Sequence, residues 1–110
     1  MCGISGIFSL CKNTNDILTT TESMNNSLSH RGPDSHGIWN EDDFSCVFAH
    51  RRLSIVDLSP TGSQPMVSQS TRYVISYNGE VYNTEELKGI LVKNNILMRG
   101  HSDTELILEL

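Results

Sequence analysis

The spacing of apolar residues changes several times along the chain, and each change marks an element. Gly3 to Leu10 is apolar with small residues interleaved, the pattern of a buried strand that begins at the terminus itself. Asp16 to His30 places Ile17, Met24 and Leu28 at helical intervals, so a helix is expected there, weakened by the run Thr19-Thr20-Thr21. Arg31-Gly32-Pro33-Asp34 ends it, because Pro cannot continue a helix and drives the Gly before it into extended backbone.

Short strand patterns follow at Gly37 to Trp39, Phe44 to Ala49 and Leu53 to Val56. Residues 59–65, with Ser59, Pro60, Gly62 and Pro65, read as a loop, and Arg72 to Tyr77 as a strongly β-prone run. Asn83-Thr84-Glu85-Glu86 has the form of a helix capping box, with Leu87, Ile90 and Leu91 on one face behind it. Ser102-Asp103-Thr104-Glu105 repeats that form ahead of Leu106, Ile107, Leu108 and Leu110. Strands before and after helices predict an α+β or layered α/β domain. The last helix lacks a stop signal at Glu109-Leu110, so the chain is expected to be part of a longer domain, inactive by itself.

Composition removes several function classes. The net charge is -5, from 13 acidic residues against 8 Lys and Arg, and no Arg-rich stripe offers a phosphate-backbone footprint, so nucleic acid is excluded as a partner. No apolar run is long enough to cross a bilayer, and no signal-peptide pattern precedes the first strand, so no membrane is expected and the reading is a cytoplasmic protein. Cys2, Cys11 and Cys46 follow no metal spacing, and His30, His36, His50 and His101 form no ligand pattern, so no metal site is expected. Cys11 and Cys46 read as small packing residues.

Cys2 is different because of its position. It follows the initiator Met, and its small side chain permits removal of Met1. A free α-amine has a pKa of about 8, so at neutral pH part of it is unprotonated and able to act as a base. One terminal residue can then supply both nucleophile and base.

Met1-Cys2-Gly3-Ile4-Ser5-Gly6-Ile7-Phe8 resembles the start of class II, N-terminal nucleophile, glutamine amidotransferases. Further motifs, in order, resemble the asparagine synthetases among them: His30-Arg31-Gly32-Pro33-Asp34, Ala49-His50-Arg51-Arg52-Leu53-Ser54-Ile55-Val56-Asp57, Gln64-Pro65-Met66 and Tyr77-Asn78-Gly79-Glu80-Val81-Tyr82-Asn83. Ser102-Asp103-Thr104-Glu105 is shared more widely in the class. The resemblance implies an Ntn-hydrolase-type four-layer αββα sandwich of antiparallel sheets, of which residues 1–110 are the first half. It also implies a separate synthetase domain that uses ATP and Mg, with no cofactor in this segment. Glutamine is the implied small-molecule substrate, the chain's own synthetase domain the implied partner, and a homodimer one possible assembly.

Residue roles follow from the same resemblance. Cys2 is the nucleophile, and Arg52 holds the glutamine α-carboxylate, a role the planar guanidinium fork suits. Its neighbour Arg51 competes for that role, and the Leu-Ser-Ile register favours Arg52. Ile55 and Val56 line the pocket or are plain strand core. Asn78 and Gly79 are the oxyanion hole by resemblance, although Asn-Gly between β-prone runs is also the commonest hairpin turn. Asp103 accepts the α-ammonium, or simply complements a helix start; Glu80 assists at the same end. Arg31 and Asp34 read as loop-ordering residues. The implied activity is hydrolysis of glutamine, with ammonia passed to an activated aspartate; relatives that amidate sugars or peptides share the same front end.

Overall fold

Strand Cys46–Arg52 is the axis of the larger sheet, hydrogen-bonded on both sides in a computed structural model that describes residues 2–10, 14–54 and 59–110. In chain order the elements are β1 (Gly3–Phe8), α1 (Thr14–Ser27), β2 (Ser35–Asn40), β3 (Cys46–Arg52), β4 (Met66–Val67), β5 (Val74–Ile75), α2 (Thr84–Lys93) and α3 (Asp103–Glu109), with one 3-10 turn at Pro60–Gly62. β1, β3 and β2 form one antiparallel sheet in that spatial order, and β4 and β5 form a second antiparallel pair. The fold is α+β.

The strand period of two sorts the residues of the larger sheet. Ile7, Ser5 and Gly3 pair with Val47, Ala49 and Arg51, and this face carries α1. The other face presents Phe48, His50 and Arg52 from β3, with Trp39 packed against Phe48 at a ring-centroid distance of 5.8 Å. The stripe that α1 buries is Ile17, Thr21 and Asn25, four residues apart, whereas Met24 stays exposed. A buried threonine is tolerated there because its hydroxyl donates to the Ile17 carbonyl, 2.8 Å away, inside the helix.

The second sheet has its own helical cover. α3 packs on β4 and β5, and α2 packs on α3, with Leu91, Leu106, Leu108 and Met66 buried between them. Ser102 caps α3 by accepting the Glu105 backbone N–H at 3.2 Å, as the sequence predicts. The predicted cap of α2 is formed differently. Asn83 makes no side-chain bond to the backbone of the first turn; its amide donates to the Glu86 carboxylate at 3.2 Å.

Two strand expectations are corrected. β3 runs to Arg52, and Leu53 and Ser54 have already left the ladder; the remainder of that expectation, Ile55 and Val56 included, lies outside the described residues. The β-prone run from Arg72 to Tyr77 pairs only at Val74–Ile75. Thr71, at φ 59°, turns the chain just before it, and Ser76, Tyr77 and Asn78 bond elsewhere.

Residues flanking the smaller sheet reach the larger one. His50 and Ser76 share a hydrogen bond of 2.9 Å between them. Gly37 on β2 lies so close to the Gln64 loop that a Cβ there would sit 2.3 Å from the Gln64 carbonyl oxygen, so only glycine fits.

Candidate active site

Cys2 stands just ahead of β1, beside the end of β3. The Leu53 backbone N–H donates to its sulfur at 3.3 Å, and the Leu53 carbonyl lies 3.7 Å from the same atom. Both backbone groups of Leu53 thus position the sulfur, and no local pattern around Leu53 signals that role. Asp34 keeps this exit segment in place: its carboxylate accepts the Ser54 N–H at 2.7 Å, and its own N–H donates to the Arg52 carbonyl. That is the loop-ordering role expected of Asp34.

A cavity of about 270 Å³ opens beside Cys2, just below the ~300–1,000 Å³ range of drug-sized sites and so suited to an amino acid. Its wall brings together Cys2, Arg52, Asn78, Gly79, Glu80 and Asp103, drawn from the residue ahead of β1, from β3, from the segment after β5 and from the start of α3. Six residues separated by up to 101 positions in sequence thus share one pocket. Ile55 and Val56 lie outside the described residues.

Arg52 is buried, at 8% exposure, and donates to the Ser59 carbonyl at 3.0 Å. Arg51 leaves β3 on the opposite face, where its Nε donates to the Asn25 carbonyl at 2.9 Å and its Nη2 to the Asn26 side chain at 2.7 Å. The last turn of α1 has no basic residue of its own, so Arg51 supplies the cation that a helix C-terminus favours. Of the two, it is Arg52 that faces the pocket.

Asn78 and Gly79 do not form the hairpin turn that their sequence allows. A type I′ turn needs positive φ at both central residues, and neither has it. Instead the Asn78 side-chain amide donates to the Cys2 carbonyl at 3.3 Å, which holds it beside the nucleophile with its second N–H uncommitted to that bond. At Gly79 a Cβ would lie 2.5 Å from the Tyr77 hydroxyl, so any larger residue there would have to move the Tyr77 ring. Asp103 at the start of α3 accepts the Val81 backbone N–H at 3.2 Å, which ties the helix to the loop that carries Asn78 and Glu80.

Three residues shape this site in ways that their sequence motifs do not indicate. Gln64 accepts the Tyr77 N–H at 2.6 Å and donates to the Thr104 hydroxyl at 3.1 Å. Glu105 is fully buried and accepts from the Arg99 N–H at 2.6 Å, the Gly100 N–H at 2.8 Å and Arg99 Nε at 3.1 Å, so its carboxylate fastens the turn before α3 and does not reach back to the cap. His50 is fully buried, with its Nδ1 on Ser76 and no partner for Nε2 among the described residues. Burial first, and then the Arg52 charge, lower its pKa to about 4. The ring is therefore neutral, and its Nδ1 shares the hydrogen bond with the Ser76 hydroxyl. Cys46, by contrast, is only half-buried; burial and the nearby Glu41 push its thiol up from its ordinary value. Among the described residues, no cluster of His, Cys, Asp and Glu is arranged to hold a metal ion, and no helix is long and apolar enough to cross a membrane.

The site thus brings together a thiol at residue 2, the Asn78 amide beside it, and a buried cation and a carboxylate on the wall of one small cavity. The chain belongs to the glutamine amidotransferase domain family, whose model matches residues 1–110. It is 39% identical to asparagine synthetase [glutamine-hydrolyzing] 3 of Bacillus subtilis over 98% of its length, and 36% identical to asparagine synthetase B [glutamine-hydrolyzing] of Escherichia coli over 100%. It is also 33% identical, again over 100%, to a protein of Gibberella zeae named amidase chry2. The chain spans only 17–19% of the length of these relatives.

Proposed function

We propose that this chain carries the glutaminase site of a longer asparagine synthetase, in which that site hydrolyses glutamine to glutamate and ammonia. The observation that carries this reading is the convergence of Cys2, Arg52, Asn78, Gly79 and Asp103 on one amino-acid-sized cavity. Arg52 binds the α-carboxylate, and Asp103, with Glu80 beside it, binds the α-ammonium, so the side-chain carboxamide is directed to Cys2. With Met1 removed, the α-amine of Cys2 takes the thiol proton as sulfur attacks the carboxamide carbon. The Asn78 amide and the Gly79 N–H stabilise the oxyanion, each donor contributing roughly 3–4 kcal/mol in sites of this kind. The α-amine returns its proton to the leaving nitrogen, ammonia departs, and a γ-glutamyl thioester remains on Cys2. Water then cleaves the thioester to glutamate and restores the thiol.

The remaining parts of the reading concern the longer protein. The ammonia is passed to an aspartate activated with ATP and Mg in a separate synthetase domain. The packing of α1 on the larger sheet, and of α3 with α2 on the smaller one, supports a four-layer sandwich that further strands complete. One alternative is a different acceptor served by the same front end; amidase chry2, whose name is not that of an asparagine synthetase, is similar over this chain's length and 18% of its own. Release of glutamate from glutamine by the full-length protein tests the first claim. Dependence of asparagine formation on aspartate and ATP separates the two acceptors.

A further inference from the structure

We infer that Gln64 is a positioning residue for glutamine hydrolysis, holding the oxyanion donors in register with the start of α3; this rests on the glutaminase reading above. Three consecutive residues after β5 are pinned by three different parts of the chain. Ser76 is bonded to His50 at 2.9 Å, Tyr77 N–H to Gln64 Oε1 at 2.6 Å, and the Asn78 amide to the Cys2 carbonyl at 3.3 Å. The bond to Gln64 is the shortest, and it fixes the backbone directly before Asn78.

The other end of the same carboxamide donates to Thr104 Oγ1 at 3.1 Å, next to Asp103. Gln64 therefore spans the pocket wall between the donors that stabilise the oxyanion and the carboxylate that receives the ammonium. Its backbone is held as well, because the Gln64 carbonyl is packed against Gly37 on β2. A side chain in contact with both pocket ends and anchored to the sheet transmits the position of one to the other. α3 does not need Gln64 to form, since Ser102 caps it, and Asp103 keeps its bond to Val81. Loss of Gln64 should therefore displace the oxyanion donors more than the substrate-binding charges.

The test is steady-state glutaminase kinetics on the full-length protein, together with amide exchange at Tyr77. Gln64→Met keeps the volume but removes both hydrogen bonds. It should lower kcat by roughly 10- to 100-fold while KM changes by less than about 3-fold, as expected for an ångström-scale misplacement of transition-state donors. Exchange of the Tyr77 amide should rise by at least about 10-fold, with β3 amides unchanged. Gln64→Glu retains an acceptor for the Tyr77 N–H and should keep Tyr77 amide exchange within about 3-fold of wild type. Thr104→Val, which removes only the distal anchor, should fall between the two. Wild-type kcat in Gln64→Met, or a fall accompanied by faster exchange throughout the domain, would overturn the positioning role alone. A wild-type protein with no glutamine turnover would overturn the underlying glutaminase reading, and this inference with it.

Discussion

Arg51 and Arg52, adjacent in sequence, serve opposite faces of one sheet. Arg51 donates to the Asn25 carbonyl at the end of α1, whereas Arg52 lies buried against the cavity beside Cys2. The division follows from the strand period of two, which sends neighbouring side chains in opposite directions.

Their substitutions should separate accordingly. Arg52→Ala should raise the glutamine KM by at least about 30-fold, the factor that corresponds to losing ~2 kcal/mol from a charge-assisted pair. Arg51→Ala should leave KM almost unchanged and instead lower stability by about 1–2 kcal/mol, through the loss of its bonds to α1. Steady-state kinetics and denaturant unfolding of both variants provide the comparison. A large KM effect in Arg51→Ala would exchange the two assignments.

Glu105 should be among the most sensitive positions outside the pocket. It is fully buried and satisfies two backbone N–H groups and the Arg99 side chain. Glu105→Ala leaves those donors unpaired and should destabilise the domain by roughly 2–4 kcal/mol. Glu86→Ala, at the exposed partner of Asn83 in the other capping motif, should cost less than about 1 kcal/mol. Equal losses in the two variants, measured by urea unfolding, would contradict this.

How much of this is legible in the sequence depends on which force decides each position. Elements set by period or capping are readable: β1, α1, α2 and α3 fall within a few residues of expectation, and Ser102 caps α3 as its motif predicts. The Arg51–Arg52 ambiguity is visible but is resolved only by strand register, which needs the pairing partners. The run Arg72 to Tyr77 reads as a longer strand than it forms because propensity is local, while the bonds of Ser76, Tyr77 and Asn78 are made to residues 13 to 76 positions away. The roles of His50, Gln64 and Glu105 are hidden for a related reason: nothing in their sequence neighbours signals what the fold brings to them.

His50 gives the domain a specific pH dependence. Its pKa is about 4 when folded, against an ordinary value of 6.5, so between these values the unfolded chain takes up a proton that the folded chain refuses. The stability that His50 contributes is complete above pH 6.5 and falls as the pH drops through the window, levelling near 4. His50→Gln cannot take up that proton, so wild type should lose roughly 1–2 kcal/mol more than the variant between about pH 7 and pH 5. Parallel urea-unfolding series at the two pH values measure the difference. Identical losses in both proteins would contradict the assignment.

Cys2 should separate the two halves of the proposed reaction. Cys2→Ala should abolish glutamine-dependent synthesis in the full-length protein and spare synthesis from added ammonia, because free ammonia bypasses the thioester. Equal loss of both activities would assign Cys2 a structural role.

The central claim is that a terminal Cys2 attacks glutamine, and the most direct measurement is mass-spectrometric mapping of the full-length protein after reaction with an electrophilic glutamine analogue. The account predicts a single adduct on the sulfur of Cys2, in a peptide that lacks Met1, with labelling suppressed by excess glutamine. An adduct on Cys11 or Cys46, or a labelled peptide that retains Met1, would contradict it.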